Sequence, residues 1–196
     1  MIFKSKTMIL LALLLLLAGC NDDLAGLADQ KSLDRLASLP ADSGLLLCLQ
    51  ADGALGKLPD LGPGGRQLGR FGPSTLVEVS RDAVPALAKI EGLKSMVLWG
   101  DENAAGKLDP MLKSELLGSM ANPDWRLVQH RVIGTFDPES SNLKDALTAA
   151  GAQPGSVVDG IATFKASNEI IFDILAWENL RQLKKPTLMR PAQSLK

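Results

Sequence analysis

The second half of the chain switches between the two-residue hydrophobic period of a strand and the longer period of a helix. At 127–136, apolar residues and His130 occupy alternate positions, which predicts a strand with one buried face. Ser140 or Ser141 then caps a predicted helix, and Gly151 ends it. This half of the chain therefore combines strands and helices.

The elements that follow are predicted from shorter signals. Asp159-Gly160 is a pair typical of a two-residue hairpin turn. Strands are predicted at 157–158 and 161–164, on either side of this turn, and at 180–184. Between the last two strands we predict a helix that Ser167 or Asn168 caps. The apolar stripe of this helix is Ile170, Ile171, Ile174 and Trp177.

The first half repeats this order with one departure. Strands are predicted at 45–49, 76–79 and 93–99, with a helix at 81–91 whose first turn accommodates Pro85. The departure is the glycine- and proline-rich stretch at 59–72, which interrupts the position of the first helix. We expect a mobile surface loop there, or a loop that binds a partner through Arg66 and Arg70. Two further helical segments are predicted, one around Leu33, Leu36 and Ala37 and one around Leu112, Leu116, Leu117 and Met120.

The two halves also match each other without a gap when the chain is shifted by 87 positions. The shift places Val77 on Phe164 and Leu87 on Ile174, and it places Leu45 on Val132. Apolar and polar classes agree across two separated blocks, which predicts an internal duplication.

The order strand, helix, strand, strand, helix, strand is that of the ferredoxin-like, or split βαβ, unit. We therefore expect an α+β fold with two such units in tandem, each with one helix-covered sheet face and one face left for its twin or a partner. The predicted segments are a signal peptide at 1–19, a lipidated N-terminus with a short helical lead-in at 20–43, a first unit at 44–108, a connecting helix at 109–125, a second unit at 126–186 and a tail at 187–196.

The start of the chain has the pattern of a secretory signal peptide. Lys4 and Lys6 precede an apolar run of roughly ten to twelve residues, whereas a membrane-spanning helix needs about 20. The run ends in Leu17-Ala18-Gly19-Cys20, which resembles the bacterial lipobox. An uncleaved anchor and an ordinary signal peptide are the alternatives.

The lipobox resemblance implies that Cys20 carries a thioether-linked diacylglycerol and, in many bacteria, a third acyl chain on its amino group. Two or more acyl chains anchor a protein stably. We therefore expect a lipoprotein of the bacterial cell envelope that faces the periplasm or the outside, on either the inner or the outer membrane. No other cofactor is expected.

The bulk composition narrows the classes of partner. The chain has 21 basic and 22 acidic residues, and loss of Lys4 and Lys6 with the signal leaves a net charge of 19 − 22 = −3. This mild acidity, without a long run of like charges, argues against nucleic acid as a partner. It also provides no polybasic patch for anionic lipid.

Residues that carry chemistry are few. Cys48 is the second of two cysteines; it is expected to be a buried small hydrophobe, or else a thiol that pairs with another chain. His130 is the single histidine and is expected to be structural. No nucleophile elbow and no set of metal ligands is present in the sequence, so we expect a protein that is not an enzyme.

Parts of both halves resemble the propeptides of subtilisin-type proteases, the I9 inhibitor family. The segments that carry the resemblance are 75–79 with 86–96, and 161–183. In that family the sheet packs on the protease and the C-terminal tail lies in its active-site cleft. The resemblance thus implies that the tail at 187–196, with Leu188, Met189 and Arg190, contacts a protease.

Two functions follow from these patterns. The first is a non-enzymatic, membrane-anchored lipoprotein that binds another envelope protein, with Arg66, Arg70, Trp99 and Trp125 as candidate contacts. The alternative is a protease inhibitor that uses its C-terminal tail. A third possibility, an enzyme that works with carboxylates, predicts a deep pocket where Asp and Glu side chains converge.

Overall fold

The computed structural model describes residues 24, 26–40, 42–53, 55–138 and 142–186, and the chain divides into two units between Glu102 and Asn103. Each unit contains a four-stranded antiparallel sheet and short helices, which is an α+β architecture. The first unit was expected to end six residues later. Among the helices of the described residues, none has the length and apolar character needed to cross a membrane.

The described residues of the first unit form two complete α-helices and four strands. In chain order they are α1 (Gln30–Ser38), β1 (Gly44–Ala51), β2 (Arg66–Phe71), β3 (Ser74–Ser80), a 3₁₀ turn (Arg81–Ala83), α2 (Val84–Leu87) and β4 (Leu93–Asp101). The strands lie in the sheet in the order β2-β3-β1-β4, and all neighbours are antiparallel.

The segment before β1 covers one face of this sheet. Asp29 caps α1 by accepting a hydrogen bond from the Ser32 amide at 2.8 Å, and Leu36 of the helix is buried. The Met96 amide of β4 donates to the Leu27 carbonyl at 2.6 Å. The resulting apolar core contains, from all parts of the unit, Leu24, Leu36, Leu45, Leu47, Leu49, Leu61, Val77, Val79, Val84, Leu87, Ile90, Met96 and Leu98.

The glycine-rich stretch is only partly the surface loop that we expected. Residues 59–65 form no helix or strand, but Arg66–Phe71 form strand β2. β2 pairs with β3 along its length, with an irregularity between Gln67 and Gly69. β2 is an edge strand, where glycine and a bulge are tolerated because one side of the strand needs no partner. A hairpin that turns at Gly72, where φ is 54°, therefore replaces the second part of the expected loop.

The helix expected at 81–91 is much shorter in the structure. Pro85 does lie in the first turn of α2, as predicted. After α2, the Lys89 amide donates to the Ala86 carbonyl and the Ile90 amide to the Leu87 carbonyl, so each turn closes over three residues instead of four. The buried residues Val84, Leu87 and Ile90 are spaced by three, a spacing that aligns side chains in a tight 3₁₀-like turn.

The part of the second unit that the structure describes forms four α-helices and four strands. In chain order they are α3 (Ala104–Lys107), α4 (Pro110–Ser119), a 3₁₀ turn (Trp125–Leu127), β5 (Gln129–Phe136), α5 (Leu143–Ala149), β6 (Gln153–Val158), β7 (Ile161–Ser167), α6 (Asn168–Leu175) and β8 (Leu180–Lys184). The strand order is β6-β7-β5-β8, again antiparallel throughout.

The local signals of the second half are mostly confirmed. Asp159 and Gly160 both have positive φ, 47° and 74°, as the predicted two-residue turn requires. The Ser167 hydroxyl accepts from the Ile170 amide and caps α6. The predicted helix ran too far, because α6 ends at Leu175 and Trp177 lies beyond it. The predicted caps Ser140 and Ser141 lie outside the described residues.

The two sheets correspond strand by strand, at two different shifts. In the β2–β3 hairpin Phe71 pairs with Ser74, and in the β6–β7 hairpin Val158 pairs with Ile161, so equivalent hairpin residues are 87 positions apart, as predicted. At this shift Val79 of β3 is equivalent to Ala166 of β7. Val79 pairs with Leu45 and Ala166 pairs with His130, so β1 and β5 correspond at a shift of 85. The predicted match of Leu45 with Val132 is therefore two residues out of register. The cause is the β5–β6 connection, which carries helix α5 and is two residues longer than its counterpart in the first unit.

The two sheets differ in how many of their faces are buried. In the first sheet both faces are buried at the central strands, since Leu46, Cys48 and Leu76 are as inaccessible as the core residues that alternate with them, whereas the edge strand β2 is largely exposed. In the second sheet one face is buried and the other is exposed along β5 and β7. The second sheet therefore has a covered face and an open face.

A lysine stabilises the end of α6. The Lys107 ammonium donates to the Leu175 carbonyl at 3.2 Å and to the Trp177 carbonyl at 3.0 Å, where α6 ends with the negative end of its dipole.

We expect Lys107→Met to lower the free energy of unfolding by about 1–2 kcal/mol, because these carbonyls lose a charged donor. Urea unfolding measures the effect. The matched control is Lys144→Met on the exposed side of α5, which should change the value by less than about 0.5 kcal/mol. Equal losses in both variants would show that the two contacts contribute nothing.

Candidate functional site

The two candidate arginines do not form one site. Arg66 lies opposite Glu78 in the ladder and Arg70 lies opposite Thr75, so the irregularity between them places their side chains on different faces of the first sheet. Arg66 also forms an ion pair within its own sheet, because its Nε donates to Glu78 Oε2 at 2.6 Å. The structure therefore separates these residues.

The two candidate tryptophans are buried, which corrects their proposed role as interface anchors. Trp99 has no exposed surface. Trp125 packs against Phe172 with ring centroids 6.0 Å apart, and the Arg126 guanidinium lies 4.6 Å from the Trp125 ring centre. A large side chain enclosed in this way offers no surface to a partner.

Cys48 is confirmed as a buried small hydrophobe. Its side chain is inaccessible in β1. Burial raises the pKa of the Cys48 thiol to about 12, against a weaker opposite effect of a hydrogen bond with Ser74. The thiol is therefore protonated and out of reach of another chain. The remaining predicted sites, Leu17, Ala18, Gly19 and Cys20 in the lipobox and Leu188, Met189 and Arg190 in the tail, lie outside the described residues.

His130 belongs to an ionic network beneath helix α4. Only 3% of the residue is exposed, and its Nδ1 lies 2.9 Å from Glu115 Oε1. The other carboxylate oxygen of Glu115 forms an ion pair with Lys185. Burial raises the pKa of Glu115, but hydrogen bonds and charge from Lys185 and His130 outweigh it, so the pKa lies below the usual 4.5.

The same helix is attached to the end of β8 at a second point. Asp109 caps α4 by accepting from the Met111 amide at 2.6 Å, and its other oxygen accepts from the Lys185 amide at 3.0 Å. The Asp109 amide donates to the Leu183 carbonyl at 2.9 Å. These contacts hold α4 on the covered face of the second sheet, where His130 also lies.

A buried asparagine joins this helix to α6. The Asn168 side-chain amide donates to Ser119 Oγ and to the Trp125 carbonyl, both at 2.7 Å. Asn168 is fully buried, so these bonds satisfy groups that cannot reach water. Together with the Glu115 network, they make the covered side of the sheet rigid.

The described residues bring together few groups suited to catalysis. Within 24–138 and 142–186, apart from residues 25, 41 and 54, no three His, Cys, Asp or Glu side chains lie close enough to hold a metal ion. A surface depression beside α5 is lined by Lys144 and by Asp159, which is the one carboxylate among the described residues of its wall. The described lining therefore shows no convergent pair of carboxylates of the kind used in acid–base catalysis.

One sheet face left for a twin or a partner was expected in each unit, but the residues that form the open face of the second sheet were not among the predicted contacts. These residues lie in three rows that cross the strands, as the pairing register shows. The rows are Arg131, Lys165 and Gln153; then Lys184, Ile133 and Thr163; and then Gln182, Thr135, Ile161 and Val158. Residues directly opposite in a ladder share a face, so these ten side chains form one continuous surface.

This surface is cationic at one end. Arg131 and Lys165 lie directly opposite each other on β5 and β7, and Lys184 lies in the next row. None of the three forms an ion pair with a carboxylate of the described chain. The four strands contain no Asp or Glu, so no acid in the sheet balances these charges.

The opposite end of the surface is apolar. Val158 is 61% exposed and Ile161 is 50% exposed, and the two are paired across the β6–β7 hairpin. Exposed β-branched residues beside cations, with threonine and glutamine side chains between them, combine apolar contact with hydrogen-bonding groups. This arrangement is suited to binding and contains no reactive set.

The sequence did carry a signal for this surface. Alternation in 127–136 predicted one buried face, and the residues between the buried ones, Arg131, Ile133 and Thr135, define the other face. The lack of Asp and Glu in β5–β8 indicates a cationic surface only because the pairing register places these four strands side by side. No family model, curated protein or solved structure matches this chain, so the resemblance to subtilisin propeptides stays a prediction.

The lowered pKa of Glu115 predicts an acid-sensitive contribution to folding. A carboxyl whose pKa is depressed in the folded state stabilises the fold above its unfolded pKa, and this contribution is lost as the pH falls through the folded value. We therefore expect Glu115→Gln to destabilise the protein at neutral pH, and the difference from the wild type to shrink below about pH 4.5.

Urea unfolding from neutral pH to about pH 3 measures this difference. Glu178→Gln, at an exposed position, is the control and should leave the curve parallel to that of the wild type. A loss in Glu115→Gln that stays constant across the range would contradict the ionic role of Glu115.

Proposed function

We propose that the chain is a lipid-anchored bacterial envelope protein that binds another protein through the open face of its second sheet. The observation that carries the binding role is the contrast between the sheets. The central strand β1 of the first sheet is buried on both faces, whereas the second sheet presents ten side chains of β5–β8 on one face, with Ile161 and Val158 exposed. An exposed apolar patch with a polar surround is typical of a binding surface.

The anchor rests on the sequence Leu17-Ala18-Gly19-Cys20, and the fold is consistent with it. Leu24 is buried in the core of the first unit, four residues after Cys20. Four extended residues span at most about 14 Å. An acylated Cys20 would therefore hold the first unit directly at the membrane surface, without a long flexible linker.

The assignment of both units to the ferredoxin-like fold is part of this proposal. Two ferredoxin-like units are supported by the strand order, second-third-first-fourth in each sheet, and by helices that follow the first and third strands of the second unit. In the first unit, α1 and the leucines of the β1–β2 connection cover the sheet where the other unit has a helix.

A protease inhibitor is the second candidate. It is favoured by one observation, the open face of a sheet whose last strand, β8, leads into the segment 187–196. In the I9 family, which the sequence resembles, the sheet packs on the protease and the tail enters the cleft.

Photo-crosslinking in intact cells tests the binding role. We expect benzoylphenylalanine in place of Thr163 on the open face to form one discrete protein adduct. The matched control is Thr148 on α5, which is equally exposed but lies on the helical side and should form none. The adduct should disappear in Cys20→Ala if the anchor places the protein beside its partner. Equal adducts at both positions, or none at Thr163, would contradict the proposal.

Titration of subtilisin-type proteases separates the second candidate from the first. An inhibitor would block the protease stoichiometrically, and deletion of 187–196 would weaken inhibition, because the tail supplies the contacts in the cleft. We expect no inhibition by the intact chain. Tail-dependent inhibition would replace our first proposal with the second.

A further inference from the structure

The charge pattern of the open face identifies the chemistry of its partner. We infer that the open face binds an acidic segment of another protein, whose carboxylates lie over Arg131, Lys165 and Lys184 while an apolar residue contacts Ile161 and Val158. This inference rests on the proposed binding function and adds the chemical class of the partner.

The first argument is the opposition of Arg131 and Lys165. Like charges directly opposite each other across two strands destabilise a sheet. Both side chains are exposed, and neither pairs with a carboxylate of the described residues. Elsewhere in the described part of the same unit, Arg181 pairs with Asp137 and Lys185 with Glu115, whereas no described carboxylate pairs with Lys144 on α5. The open face brings three such unpaired cations together, where an external carboxylate can neutralise them.

The second argument is the composition of the four strands. They contribute Arg131, Lys165 and Lys184 to the open face and contain no acid. The whole chain has nearly equal numbers of acidic and basic residues, so this separation is local. A surface of one sign attracts and orients a partner of the opposite sign.

The third argument distinguishes a protein from a lipid surface. Recognition of anionic headgroups typically uses clusters of about four to eight lysines or arginines, or an amphipathic helix with aromatic anchors. The open face has three cations, lies on a sheet and carries no Trp, Tyr or Phe. Its Thr135, Thr163 and Gln182 side chains instead provide the hydrogen-bonding groups found in protein interfaces.

The test uses the crosslinker at Thr163 in cells and combines it with charge reversal. We expect mass spectrometry to place the crosslink on a protein segment rich in Asp and Glu. The double variant Arg131→Glu with Lys165→Glu should reduce the adduct at least about tenfold, because like charges then face each other across the interface. The control is Lys89→Glu with Lys144→Glu, which changes the net charge equally at exposed positions outside this face and should preserve the adduct.

Stability measurements show whether a lower yield of the adduct is caused by unfolding of the variant. The single variant Lys165→Glu places a carboxylate opposite Arg131, so its thermal midpoint should be no lower than that of the wild type while its adduct decreases. Lysine substitutions in the acidic segment of the partner should restore the adduct of the double variant.

The outcomes separate the two proposals. A protein adduct at Thr163 that survives charge reversal, or that maps to a neutral segment, would overturn the acidic partner and leave the binding function intact. A phospholipid adduct alone, or an adduct to a second copy of this chain, would also overturn it. Absence of any adduct at Thr163 would contradict the binding function itself.

Discussion

The need to cover the apolar faces of the two antiparallel sheets governs this structure. In the second unit, the buried residues of β5 and β7 lie beneath helices that are joined to one another through Asn168 and to the sheet through Glu115 and Asp109. In the first unit, the helix after the first strand is missing, and α1 with its preceding segment takes its place. The two units cover their sheets with different parts of the chain. This is possible because apolar burial has no directional preference.

This difference has a consequence for function. The residues that precede β1 are part of the first core, so Leu24 and the backbone of Leu27 fix the start of the described chain to the first unit. An anchor at Cys20 would then position a folded body, since the intervening residues are too few to act as a flexible spacer. The second unit covers one face of its sheet with its own helices, and the other face stays exposed along β5 and β7.

Much of the fold was predictable from local patterns. The hairpin at Asp159-Gly160, the cap at Ser167 and the buried face of β5 were all predicted because each depends on a few neighbouring residues. Strand β2 was missed because its glycines suggested a loop, and its pairing with β3 is a non-local property. Trp99 and Trp125 were placed at an interface because position near a strand end says nothing about tertiary enclosure. Identification of the ten residues of the open face required the pairing register, which no single segment encodes.

The central claim is that the second sheet has one covered and one open face, and thiol labelling along β7 tests it most directly. In the purified chain, a cysteine at Ala162 should react only after unfolding, whereas a cysteine at the neighbouring Thr163 should react as fast as a free thiol. The native Cys48 is buried and protonated, so it contributes little background. Protection at both positions, or rapid reaction at both, would contradict the account.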